Sequence, residues 1–162
     1  MTQSRILFTL IFLACGGLLG YAYYLQYYQG LDPCPLCIFQ RACYALLGGV
    51  SLIAAIHNPA ATGRRVYGGL CALASVAGIV FAGRQVWLQH LPKDQVPECG
   101  PGLEYWIQTL PLTETLRKVF HGTGDCAVVD WTFLSLSIAE WSLIIFTLAL
   151  LAVLFNSVRK TA

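Results

Sequence analysis

Charge is scarce in this chain. Ten Lys and Arg and eight Asp and Glu make up 11% of its 162 residues, against 57% hydrophobic residues and a mean hydropathy of +0.63. A soluble domain of this length carries about a quarter of its residues charged, so that class is excluded. The scarcity is also uneven, since Ile6 to Leu31, Ala42 to Gly63, Val66 to Gly83 and Trp141 to Val158 contain no Asp, Glu, Lys or Arg. A basic patch interleaved with aromatics is lacking too, which argues against nucleic acid as a partner. So is a glycine-rich fingerprint, without which a soluble nucleotide cofactor has no phosphate cradle. There is no internal repeat and no low-complexity segment.

What the chain does have is apolar length. Each charge-free interval holds at least eighteen residues, and a spanning helix needs roughly 20 mostly apolar positions. The intervals predict an all-α membrane protein, a single bundle of four transmembrane helices over about residues 6–28, 37–56, 66–89 and 141–158. His57, Asn58 and Pro59 cut the second short, and the third carries on past Arg84, which snorkels to headgroups, until Pro92 stops it. The apolar stretch at the N-terminus runs on to Tyr28 with no polar mature start, so an uncleaved first span is expected rather than a signal peptide.

Orientation follows from where the few charges fall. Arg5, Arg64, Arg65, Arg159 and Lys160 lie at one set of helix ends with no acidic residue among them, while all eight Asp and Glu lie at the other. The positive-inside tendency then makes both termini cytoplasmic and turns the loops at about 29–36 and 90–140 outward. In the longer loop, Leu103 to Phe120 mixes Leu103, Trp106, Ile107, Leu110, Leu112, Leu116 and Phe120 with charges. That pattern predicts one or two short amphipathic helices, broken at Pro111, floating on the membrane surface.

Cysteine is plentiful. Of the seven, Cys15, Cys43 and Cys71 sit inside spans as small apolar packing residues. The other four, Cys34, Cys37, Cys99 and Cys126, fall on the outward, oxidising side where disulfides persist. The run Pro33-Cys34-Pro35-Leu36-Cys37-Ile38-Phe39-Gln40-Arg41 reads as a redox pair at a helix start. Proline is tolerated there because the N–H it removes lacks an intrahelical partner anyway. The unpaired amides and the positive end of the helix dipole favour an anion, so one of the two sulfurs is expected to ionise readily. Arg41, four residues beyond Cys37, brings a permanent positive charge to the same helix face.

Three readings of the four outward cysteines remain: two structural staples, a soft-metal site, or a thiol–disulfide relay. A Cys34–Cys37 bridge closes almost no loop and so stabilises little by chain entropy, and Cys99 and Cys126 lack the close spacing of zinc-ribbon ligands. Position favours the relay, with no metal. At the membrane boundary a lipid-soluble quinone reaches Cys37 where a soluble nucleotide does not.

Cys34-Pro35-Leu36-Cys37-Ile38-Phe39-Gln40-Arg41 opening a second span, a loop pair at Cys99 and Cys126, and Gly124-Asp125-Cys126 followed by Trp131 together resemble the bacterial disulfide bond formation protein B (DsbB) family. The resemblance covers nearly the whole chain. It implies a quinone-dependent thiol oxidase that regenerates the disulfide of a periplasmic thioredoxin-fold (DsbA-like) oxidant. In that scheme the partner attacks a Cys99–Cys126 disulfide at Cys99, Cys126 attacks Cys34, and Cys37 faces ubiquinone or menaquinone with Arg41 stabilising the charge. His90 corresponds to the family's histidine near the quinone. A quinone or vitamin K reductase-like enzyme is the neighbouring alternative.

Overall fold

The computed structural model describes residues 3–92, 94–98, 100 and 103–158. Four long helices, α1 Gln3–Gln29, α2 Pro35–His57, α3 Ala61–Gln89 and, last in the chain, α6 Ile138–Val158, are each long and apolar enough to cross a membrane. Between α3 and α6 lie the short α4 Leu103–Thr109 and α5 Leu112–His121, a 3₁₀ turn at Gly124–Cys126, and a two-stranded hairpin, β1 Thr132–Phe133 with β2 Leu136–Ser137. The protein is an all-α four-helix membrane bundle, and the break at Pro111 falls between α4 and α5 as the sequence pattern predicts.

The helix ends extend beyond the charge-free intervals, for local reasons. Pro35 occupies the first turn of α2 with Cys34 as its N-cap, and Asn58 closes the helix in the left-handed conformation (φ 44°), its N–H returning 3.0 Å to the Ala54 carbonyl. The turn to α3 therefore needs only Asn58, Pro59 and Ala60, and Arg64 and Arg65 belong to the first turns of α3 rather than to a loop. At α6 the start moves forward to Ile138 because Ser137 and Glu140 form a capping box. The Ser137 N–H donates to Glu140 Oε2 at 2.7 Å and the Glu140 N–H to Ser137 Oγ at 3.3 Å. The hairpin is an addition to the predicted elements; Leu134 and Ser135 both take positive φ (51° and 65°), as a two-residue hairpin turn demands, although neither is glycine.

Packing runs in the order α1, α2, α3, α6, while α1 and α6 touch only sparingly. Phe8, Ile11 and Cys15 of α1, Cys43, Tyr44 and Leu47 of α2, Cys71 of α3, and Phe146 and Val153 of α6 form the membrane core. The spanning cysteines are thus packing residues there. Close approach of α3 to α6 depends on Gly78, where a Cβ would stand 2.6 Å from the Phe146 ring. A second, smaller core caps the bundle: Leu36 and Leu88 from the helix ends meet Trp106 of α4 and Val119 of α5, with Cys34 and Cys126 among them. Tyr105, Ile107, Leu112 and Phe120 are left exposed on the short helices.

Arg84 does not reach outward to headgroups. Its guanidinium stacks over Trp87, 4.2 Å from the ring centre, and donates to the Phe120 and His121 carbonyls at 2.9 and 3.0 Å. Those carbonyls end α5 without intrahelical partners, and a cation there also complements the helix dipole. Gly122 then turns away with φ 79°, its α-carbon against Leu88.

Gly78→Val is expected to lower stability by about 1–3 kcal/mol through overpacking against Phe146. Gly83→Ala, whose new methyl meets only Leu143 at 4.0 Å, serves as the control. Thermal unfolding in detergent checks this: equal midpoints for the two variants would contradict the packing described.

Candidate active site

The N-terminus of α2 is where the chemistry-bearing side chains converge. The helix leaves its first amides without carbonyl partners, and sulfur takes two of them. Cys34, as N-cap, accepts from the Cys37 N–H at 3.4 Å. The Leu36 N–H points instead at Cys126, which the 3₁₀ turn carries in from the distant loop. Cys34 Sγ and Cys37 Sγ lie 2.8 Å apart as a hydrogen-bonded, unbridged pair, and Cys34 also hydrogen-bonds Cys126. Three of the four predicted cysteines therefore form one cluster. Cys99 lies outside the described residues. Its neighbours on either side border the Cys126 turn: Glu98 accepts from the Gly124 N–H at 3.3 Å, and Gly100 packs on Trp106 and Thr123.

The sulfurs differ in proton affinity. Cys126 is pulled down to about 6, first by the hydrogen bond from Cys34 and then by the Thr123 and Leu36 amides, against burial that opposes the charge. Cys34 is pushed up because it donates to Cys126 and to Cys37. The favourable amide field of the helix start thus serves Cys126, a residue outside that helix, as well as the Cys34–Cys37 pair.

Beside the cluster opens a cavity of about 330 Å³, walled by Leu18, Leu25 and Ile145 among other apolar residues, with Cys34, Cys37 and Arg41 on its surface. Its walls come from α1 on one side and α6 on the other, the two helices that pack least against each other. Trp131 stacks on Phe133, which meets Trp141 at a tilt of 41°, and Tyr21 joins edge-on to Trp131 at 5.8 Å. Arg41 leans toward α1, donating to Gln26 Oε1 and, at 3.1 Å, to the Ala22 carbonyl, over the face of Tyr23. Its guanidinium has more N–H groups than these partners use.

His90 is not drawn into this arrangement. It ends α3 with an exposed side chain, its Nδ1 2.8 Å from the Val86 carbonyl and its Nε2 3.9 Å from Glu140. The neighbouring Gln89 lines the cavity instead and accepts from Ser137 Oγ at 2.8 Å. Sequence reasoning also passed over Gln85, and it treated Gln40 only as part of a motif. Both are 4% exposed and stand beside the sulfurs. An uncharged polar residue within an apolar span is the signal that points to them. Among the described residues, no group of three or more His, Cys, Asp and Glu is arranged to hold a metal ion.

A cluster of oxidisable thiols on the end of a membrane helix, open to an apolar cavity within the bundle, is the site of a membrane-embedded thiol–disulfide oxidoreductase. The family described as disulfide bond formation protein DsbB matches residues 4–156. Relatives called disulfide bond formation protein B include one from Azoarcus sp. (strain BH72), 50% identical over 153 residues, covering 94% of this chain and 92% of the relative. Another, from Marinobacter nauticus, is 49% identical over 157 residues (97% and 94%), and one from Hahella chejuensis is 52% identical over 143 residues (88% and 87%). The chain belongs to the DsbB family of disulfide-forming membrane oxidoreductases.

Removing the hydrogen bond from Cys34 should return Cys126 toward its ordinary acidity. In the fully reduced Cys34→Ala protein the ionisation midpoint of Cys126 is expected to rise from about 6 toward 9.0. A depressed thiol stabilises the docked loop fully above that ordinary value and loses the contribution as pH falls through about 6, so the variant should also lose that pH-dependent stability. Alkylation of the Cys126 peptide against pH reads the midpoint; an unchanged profile would contradict the assignment.

Proposed function

We propose that this protein is a quinone-dependent oxidase of a periplasmic DsbA-like dithiol, working through Cys99–Cys126 and Cys34–Cys37. The observation that carries the reading is the cavity: Cys37 and Arg41 face an apolar space whose two side walls, α1 and α6, are loosely joined, so a lipid-soluble oxidant has a route in from the bilayer. Its size suits a small apolar ligand. A quinone bound there would supply the oxidant, taking up two electrons and two protons. The protein's own residues move the disulfides.

The partner's thiolate attacks Cys99 and breaks the Cys99–Cys126 bond. Cys126 leaves as a thiolate, which the Thr123 and Leu36 amides stabilise. It then attacks Cys34 of a Cys34–Cys37 disulfide, and Cys37 leaves as the thiolate that lines the cavity, where the spare N–H groups of Arg41 stabilise negative charge. The closeness of Cys126 to Cys34 in the reduced protein supports that step. The partner's second thiolate resolves its bond to Cys99, and Cys99 in turn recaptures Cys126 from Cys34, which leaves Cys34 and Cys37 as the reduced pair whose two electrons the quinone would accept as their disulfide re-forms. Across the cycle the partner loses two electrons and two protons and gains its disulfide. Because a DsbA-type oxidant sits near −120 mV, only an acceptor of higher potential drives the cycle forward.

His90 is assigned to the quinone on family resemblance; its neighbour Gln89 is the residue on the cavity wall. The inner-membrane setting, with both termini cytoplasmic and the cysteines periplasmic, rests on Arg5, Arg64 and Arg65 clustering at the end opposite the sulfur site.

The test is quinone absorbance after mixing the detergent-solubilised protein with a reduced DsbA-like oxidant and either ubiquinone or menaquinone. Reduction should occur in the native protein and vanish in Cys37→Ala and Cys99→Ala. No reduction with either quinone would defeat the oxidase reading. Arg41→Met should raise the apparent KM for quinone roughly tenfold or more, the loss of a charged hydrogen bond of about 1.5–3 kcal/mol, while the disulfides still form. Unchanged quinone kinetics would remove Arg41 from the site.

A further inference from the structure

Cys37 has a neighbour whose role the relay scheme does not assign. Gln85, on α3, donates from Nε2 to Cys37 Sγ at 3.2 Å and to Cys34 Sγ at 3.5 Å, while its Oε1 stands 3.5 Å from Cys37 Sγ as an acceptor for the thiol. A glutamine side chain can present either its oxygen or its N–H groups to a sulfur, with opposite consequences: a donor favours the thiolate, an acceptor the thiol. Here Gln40 decides. Its Nε2 donates to Gln85 Oε1 at 2.6 Å, which engages that oxygen and leaves the shorter of the two contacts with Cys37 to the Gln85 N–H group. Both amides are buried, where a hydrogen bond is stronger and a rearrangement that leaves a group unpaired is costly. Gln40 follows Cys37 by three residues on α2, so the clamp spans the α2–α3 interface at the level of the reacting sulfur.

The geometry points to Gln85 as a further catalytic residue, one that holds Cys37 as the thiolate through an amide donor oriented by Gln40. The inference rests on the relay reading in that it takes Cys37 to be the sulfur facing the oxidant. The ionisable groups around Cys37 are Cys34 and Cys126, Arg41 one turn along α2, Tyr21 on α1, Tyr44 on α2, and Asp32, Asp125 and Asp130 at the cavity wall. On the α3 side Gln85 and Gln89 line the cavity, and α6 contributes Ser142 and Trp141; none of these is charged. From α3, therefore, the sulfur is tuned by hydrogen bonding alone. When Cys37 leaves Cys34 during exchange, its electron pair meets an N–H already in place, with no polar group needing to reorient.

The test uses the fully reduced, full-length protein in detergent with neither quinone nor partner present. Alkylation of Cys37 by iodoacetamide is followed against pH by mass spectrometry of its peptide. The midpoint of the profile reads ionisation, and the limiting rate at high pH reads access to the sulfur. Gln85→Met, similar in length but without a donor, is expected to raise the midpoint by about one pH unit, a tenfold loss of thiolate below it. Gln40→Met, which frees the Gln85 amide to rotate, should raise it less. A merely structural role changes the limiting rate and leaves the midpoint alone.

A midpoint unmoved in whichever of the two variants folds overturns the proposal. Because the assay contains no quinone, the two readings fail separately. An unmoved midpoint beside native quinone reduction refutes the role of Gln85, and a moved midpoint in a protein that reduces no quinone refutes the oxidase.

Discussion

Two sulfurs on the first turn of α2 hold this structure's chemistry together. A helix start must find acceptors for its free amides, and here Cys34 and Cys126 supply them where an oxygen-bearing side chain is the usual choice. The arrangement ties Cys126, a loop residue ninety positions beyond Leu36, to the end of a membrane helix. It also makes the same amides serve structure and reactivity, since whatever caps the helix as an anion is by that fact a better leaving group. The loop docks through the atoms that react.

That docking needs a rigid support, and α3 provides it. Arg84 closes the end of α5, Leu88 receives Gly122, Gln89 accepts from Ser137 at the start of α6, and Gln85 reaches the sulfurs. Four contacts within two turns of one helix therefore fix the short helices, the Cys126 turn, the hairpin end and the reactive pair relative to one another. An arginine at the membrane boundary is expensive when unpaired. Spent on two helix-end carbonyls, it becomes the joint between the bundle and the extramembrane segment.

The bundle is closed on three sides and loose on the fourth. Gly78 lets α6 press onto α3 while α6 makes little contact with α1, and the space left between them is the cavity. Lipid tails are as apolar as the helix faces, so nothing forces the last pair together. The gap arises from ordinary packing geometry and leaves the sulfur site with a side door into the membrane interior.

Much of this was legible without coordinates, and the pattern of what was not is informative. The four spans, the break at Pro111 and the helix start at the cysteine pair depend on apolar length, proline chemistry and cysteine spacing, each of which acts over a few residues or through strong class constraints, whereas the meeting of Cys126 with Cys34 and Cys37 was implied only by the family resemblance. The boundaries were off where side chains cap a helix, as Ser137 and Glu140 do. Arg84 looked like a headgroup contact because the carbonyls it satisfies belong to residues 36 and 37 positions further on. Gln85 was invisible for the same reason, 48 positions from the sulfur it touches. The sequence by itself determined which segments enter the membrane and which atoms can exchange electrons, since transfer free energy and sulfur chemistry are local properties. Only the tertiary structure decided which neighbours those atoms meet and where the bundle stays open, because both follow from how separate helices fit side chain against side chain.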